Sequence, residues 1–117
     1  MQAQAIIDKS TINELRDLMG ADFVVELIET YNTETAELIV QLHQALADHD
    51  AASFGRLAHS IKSSSASLGA LDFSQQTREL EMLGKANDLS HAGSKLERLQ
   101  ADFPQVKKCL EELRDEP

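Results

Sequence analysis

Only one cysteine is present, Cys109, so the chain cannot close a disulfide on itself and fits a reducing compartment. Tryptophan is missing and prolines number two. With 42% hydrophobic residues, this composition fits a helical domain; a disordered chain would carry fewer Leu and Ile. The five glycines are scattered singly, so there is no glycine-rich loop to cradle a nucleotide phosphate. Basic residues are outnumbered: 11 Lys and Arg against 20 Asp and Glu give a net charge of −9. That balance argues against wrapping nucleic acid or sitting on an anionic membrane, since both reward clustered cations. No apolar run is long enough to cross a bilayer. The opening Met1-Gln2-Ala3-Gln4-Ala5-Ile6-Ile7-Asp8 lacks the basic start and apolar length of a signal peptide, so the cytoplasm is the expected address. The start at Met1 and the end at Arg114-Asp115-Glu116-Pro117 read as those of a stand-alone protein.

The chain has 117 residues, enough for one domain with one modest core, and residues 1–8 are expected to be a loose lead-in. Thr11-Ile12-Asn13-Glu14 has capping-box form, with Asp8 and Ser10 as rival caps. A short helix follows with Ile12, Leu15 and Met19 facing in, and Gly20 stops it. Asp22 opens a long helix in which Phe23, Val24, Leu27, Ile28, Tyr31, Leu38, Ile39, Leu42 and Leu46 repeat at three and four, with Tyr31 at the core edge. The polar stretch Thr30 to Thr35 weakens propensity without breaking the phase. Asp50 caps the next helix. A fourth carries Leu71, Phe73, Leu80 and Leu83 and stops at Gly84; Asn87-Asp88 or Ser90 caps the fifth. In that last helix the apolar step survives on both sides of Pro104, which predicts a kink rather than a break. Short connections favour antiparallel neighbours. The expected fold is all-α: an antiparallel up-down four-helix bundle (about 22–48, 51–68, 70–83 and 89–114) with a short additional N-terminal helix across one end.

The informative stretch is Arg56 to Ala70. Phe54, Leu57, Ala58, Ile61, Ser65 and Leu68 share one helical face at about 100° per residue. His59 points roughly 150° away from its centre, outward. Gly55 at i−4, Ser63 at i+4 and Ala66 at i+7 lie on its side and leave room for another surface. Lys62 can place an ammonium beside the ring, and Arg56 at i−3 is a further cation. A lone exposed His with a Lys at i+3 is by itself common and is usually an ordinary surface pair.

The run His59-x-x-Lys62-x-Ser-Ser-Ala-x-x-Gly69-Ala70, however, resembles the signature of histidine-containing phosphotransfer (HPt) domains. Asp8…Leu15-Arg16…Gly20-x-Asp22-Phe23 and Leu83-Gly84-Lys85…Asp88 are similar to further stretches of that family. One departure stands out: many members have Gly directly after the Lys, and this chain has Ser63. The resemblance implies a helical bundle that accepts a phosphoryl group on His59 from a receiver-domain Asp and passes it on or back. It implies Nε2 as the attacking atom and a Gln or Glu on the next helix, here Glu81, as the group that orients the ring. Lys62 would offset the added charge, and Arg78 and Lys85 would lie near the docking surface. Such a protein has no kinase activity and no cofactor of its own; Mg2+ belongs to the partner receiver. The implied partners are response-regulator receivers and a hybrid sensor histidine kinase, with no nucleic acid and no membrane, and the carrier is expected to be a monomer.

A histidine suits the task because its unperturbed pKa near 6.5 leaves it neutral and nucleophilic at working pH. The serines offer no rival nucleophile, since the position three before Lys62 is His59 itself. His43, His49 and His91 have no spacing suited to a metal pair and read as surface residues, and Cys109 reads as packing. A competing reading is an adaptor bundle that binds a signalling partner without phosphoryl transfer. A bundle metalloenzyme fits poorly, because Glu79, Glu81 and Glu97 have no His at i+3.

Overall fold

The computed structural model describes residues 6–116. Those residues form five helices and no strand: α1 (Lys9–Met19), α2 (Ala21–Ala47), α3 (Ala51–Ser67), α4 (Leu71–Lys85) and α5 (Ala92–Arg114). Side-chain caps open two of them, Asp8 accepting from the Ser10 amide and Asp50 from the Ser53 amide. Asp8 therefore takes the role that the Thr11 capping box offered.

The neighbouring helices meet in reversed order. Along α3 and α4, Gly55 faces Gly84, His59 and Lys62 face Glu81, and the Lys62 carbonyl accepts from Ser74 Oγ. Along α2 and α5, Glu29 meets Arg114 and His43 meets Gln100. Along α4 and α5, Gln76 meets Asp102 and Glu79 meets Lys95. The core between them is mainly aliphatic, with Ile28, Leu42, Ile61, Leu80, Leu96, Leu99 and Leu110 fully buried alongside Phe54. In α2 the buried phase runs straight through the polar stretch, where Asn32 and Thr35 take core positions. Tyr31 is not at the core edge but inside it, and its hydroxyl bonds Ser65 Oγ at 2.7 Å. That bond satisfies two buried hydroxyls at once and lets a polar pair sit between α2 and α3.

Several local expectations are corrected. Residues 1–5 of the lead-in lie outside the described residues, but its inner end is anchored: Ile7 is fully buried, and the Asp8 amide donates to the Gly69 carbonyl at 2.8 Å. Met19, Phe23 and Leu71 do not face in. They sit in the last turn of α1 and the first turns of α2 and α4, where the helix ends run past the core, and they are 54%, 39% and 52% exposed. α5 begins at Ala92 rather than 89, with His91 at its N-cap position, while Asp88 bonds Ser90 in the preceding turn. Pro104 lies inside continuous helix, so it does not break α5.

Gly84 does not stop α4, which continues to Lys85 and ends where Asn87 turns left-handed at φ 54°. Gly84 serves close approach instead. A Cβ there would lie 2.6 Å from Gly55 Cα and N and 2.9 Å from the Ala51 carbonyl. α3 and α4 are thus in backbone contact at this level. Gly69 answers both demands, with φ +82° and a would-be Cβ 2.8 Å from the Asp8 carbonyl.

Candidate functional site

The close pairing of α3 and α4 brings His59 and Glu81 together. The Phe54–Ala58–Ile61 stripe turns the other side of α3 into the core, which leaves the His59 side chain 58% exposed. Glu81 follows buried Leu80 on the edge of the inward face of α4, and its side chain is only 4% exposed. Its Oε2 lies 2.7 Å from His59 Nδ1, and its Oε1 accepts from Lys62 Nζ at 2.7 Å. Lys85, one turn further along α4, stands 3.3 Å from Oε2.

A buried carboxylate normally resists ionisation. Here the Lys62 hydrogen bond is the largest influence and lowers the pKa. Burial works against it, and hydrogen bonds from His59 and Lys85 add to the lowering, so the group is held down at about 2. An ionised Glu81 can only accept. The neutral imidazole therefore carries its proton on Nδ1 and turns a bare Nε2 lone pair outward. This arrangement supplies an oriented, solvent-facing nucleophile whose far side is backed by a negative charge.

In front of the ring lies an open groove of about 470 Å³, floored by Ala51, Gly55 and Gly84 and edged by Arg56, Ser60 and Lys85. Lys62 and Glu81 converge on His59, and Lys85 joins them. Arg56 is exposed at the groove edge, with its guanidinium donating to Ser53 Oγ at 3.0 Å. Ser63 and Ala66 are exposed on α3, as a docking face needs. Gly55, expected on the outer face, is buried, because it forms the contact with Gly84 and serves as groove floor. Arg78 is exposed on α4 but is not among the residues lining the groove, so its side chain is not brought to His59.

Three serine hydroxyls near the site donate within their own helix. Ser60 donates to the Arg56 carbonyl, Ser64 to the Ser60 carbonyl and Ser67 to the Ser63 carbonyl. Two contributors escaped the sequence reading. Gly84 reads in the sequence as a stop, though a single glycine inside an apolar phase also signals close packing. Ser74, which ties α4 to the Lys62 carbonyl, carries no local signal. Among the described residues no cluster of three His, Cys, Asp or Glu side chains is arranged to hold a metal ion, and no helix is long and apolar enough to cross a membrane.

Comparison with known proteins bears on the same residues. A comparison with curated proteins finds no match. The crystal structure of histidine-containing phosphotransfer protein B (HptB) from Pseudomonas aeruginosa PAO1 superposes with a TM-score of 0.87 at 27% identity, covering 93% of this chain and 94% of that one. The family model for the Hpt domain matches residues 26–116, a span that contains α3, α4 and the whole His59–Glu81 pair. The chain belongs to the Hpt domain family and serves histidine phosphotransfer in two-component phosphorelays.

Proposed function

We propose that His59 is the phosphoacceptor. The observation that carries this is a ring held at Nδ1 by a buried carboxylate 2.7 Å away while more than half of the side chain faces solvent. The Nε2 lone pair attacks the phosphorus of a receiver aspartyl phosphate. The new N–P bond forms as the P–O bond to the aspartate breaks, and the carboxylate leaves with the bonding electrons. No proton has to move, because Nδ1 already carries one. The ring becomes an imidazolium facing the Glu81 carboxylate, which stabilises the developing charge. The reverse step returns the group to a receiver.

In this reading Lys62 and Glu81 serve the acceptor, and Gly55, Arg56, Ser63, Ala66 and Lys85 form the docking face, with Arg78 at its periphery. The protein is a carrier rather than a kinase, with no cofactor of its own, and the metal ion belongs to the partner receiver. A hybrid sensor histidine kinase and response-regulator receivers are its partners, and nucleic acid and membrane are not. It acts in the cytoplasm as a monomer of one domain, an up-down four-helix bundle of α2 to α5 with α1 across one end. Incubation with a phosphorylated receiver should label the wild type and leave His59→Gln unlabelled. Label retained in His59→Gln refutes the assignment.

A further inference from the structure

Two lysines meet one carboxylate at the site, and their settings differ. Lys62 reaches Glu81 Oε1 at 2.7 Å with a side chain 28% exposed. Lys85 stands 3.3 Å from Oε2, is 73% exposed, and lines the groove in front of His59, as Lys62 does not. Building on the reading of His59 as acceptor, we propose that Lys85 is the cation that moves onto the phosphoryl group at Nε2, while Lys62 is a positioning residue that holds Glu81 from its other oxygen.

The two lysines differ in what each would leave behind. If Lys62 departs, Oε1 of a buried, ionised carboxylate loses its 2.7 Å donor, and an unsatisfied buried charge is costly. If Lys85 departs, Oε2 keeps its bond from His59 Nδ1. The Lys85 contact is long and its ammonium already stands in water, where such a pair is worth little. The phosphoryl group brings close to two negative charges to the outward side of the ring. Arg56 is the other cation at the groove edge, but its guanidinium is engaged with Ser53 on the same helix. Lys85 therefore shifts at the lowest cost. The i+3 lysine of the motif acts through Glu81, by fixing the oxygen that orients the imidazole.

The test is a 31P NMR pH titration of the full chain phosphorylated on His59 with phosphoramidate. A neighbouring ammonium lowers the second ionisation of the phosphoryl group, so Lys85→Met should raise that midpoint by about half a unit to one unit. Lys85→Arg should keep it low. Lys62→Met should leave the midpoint within about 0.2 unit and instead change the 15N tautomer signature of the ring in the unphosphorylated protein. A rise in Lys62→Met that equals or exceeds the rise in Lys85→Met overturns the proposal, as does no rise in Lys85→Met. Should Lys62→Met fail to fold, the Lys85→Met result decides alone, because that side chain is exposed. Label appearing in His59→Gln instead defeats the underlying reading of the acceptor, a distinguishable failure.

Discussion

Replacing Gly84 with Ala tests the backbone contact on which the site geometry rests. Helix propensity alone favours the change by up to about 1 kcal/mol, since Gly84 lies inside α4. Packing opposes it. The new methyl would sit 2.6 Å from Gly55 Cα and N and 2.9 Å from the Ala51 carbonyl. Carbon atoms rest near 3.5–4.0 Å, so α3 and α4 must part by about 1 Å, and the obstructing atoms are backbone with no rotamer to yield. Overpacking of this kind costs roughly 1–3 kcal/mol, so against the propensity gain it leaves a net loss of up to about 2 kcal/mol. Gly55→Ala is the matched control. Its methyl would meet Gly84 at 3.6 Å, an ordinary contact, so propensity wins and the variant should equal or exceed the wild type. Urea denaturation compares the three proteins, and a phosphotransfer assay should show Gly84→Ala slowed as Glu81 is carried away from His59. If Gly84→Ala proves as stable as Gly55→Ala, the close-approach account of these glycines is wrong.

Two further outcomes follow from the same contacts. The Glu81 carboxyl ionises at about 2 in the fold against 4.5 for a free glutamate side chain, so the unfolded chain binds the extra proton between those values. The contribution, up to about 3 kcal/mol, is fully present above pH 4.5 and is lost as the pH falls toward 2. Glu81→Gln should therefore flatten the acid limb of a stability–pH curve, and an unchanged limb would contradict the pairing. Gly69→Ala places a side chain at φ +82° and 2.8 Å from the Asp8 carbonyl, so it should cost about 2 kcal/mol or more. Hydrogen exchange at the Asp8 amide, which bonds Gly69, should quicken more than exchange in α5, and equal protection in the two would count against the anchor.

The helices were legible because their period was. The α3 stripe Phe54–Ala58–Ile61–Ser65 and the α2 phase across Thr30 to Thr35 can be read without coordinates, since burial in a bundle follows angle around the helix. The outward setting of His59 followed from the same angle. Helix ends were less legible. Met19, Phe23 and Leu71 keep the apolar phase but stand where no neighbouring helix covers them, and periodicity carries no information about where a neighbour stops. The anchoring of Ile7 and Asp8 against Gly69 depends on a contact across 61 positions of chain, which no local pattern encodes.

The site divides along the same line. His59 and Lys62 share a helix, so their relation is a matter of spacing; Glu81 lies across an interface, and only the family resemblance pointed to it. Residue types alone also gave the wrong use for Gly84. A glycine in that place satisfies both a stop and a close approach, and the choice depends on what stands opposite. Opposite it stands Gly55, itself chosen for an outer face by counting from His59. The two glycines meet because α3 and α4 need that proximity for a carboxylate on one helix to reach an imidazole on the other at 2.7 Å. A longer separation would leave Glu81 without its two donors from α3 and His59 without a fixed tautomer, so two glycines in the pair of helices set the chemistry of the imidazole and the carboxylate.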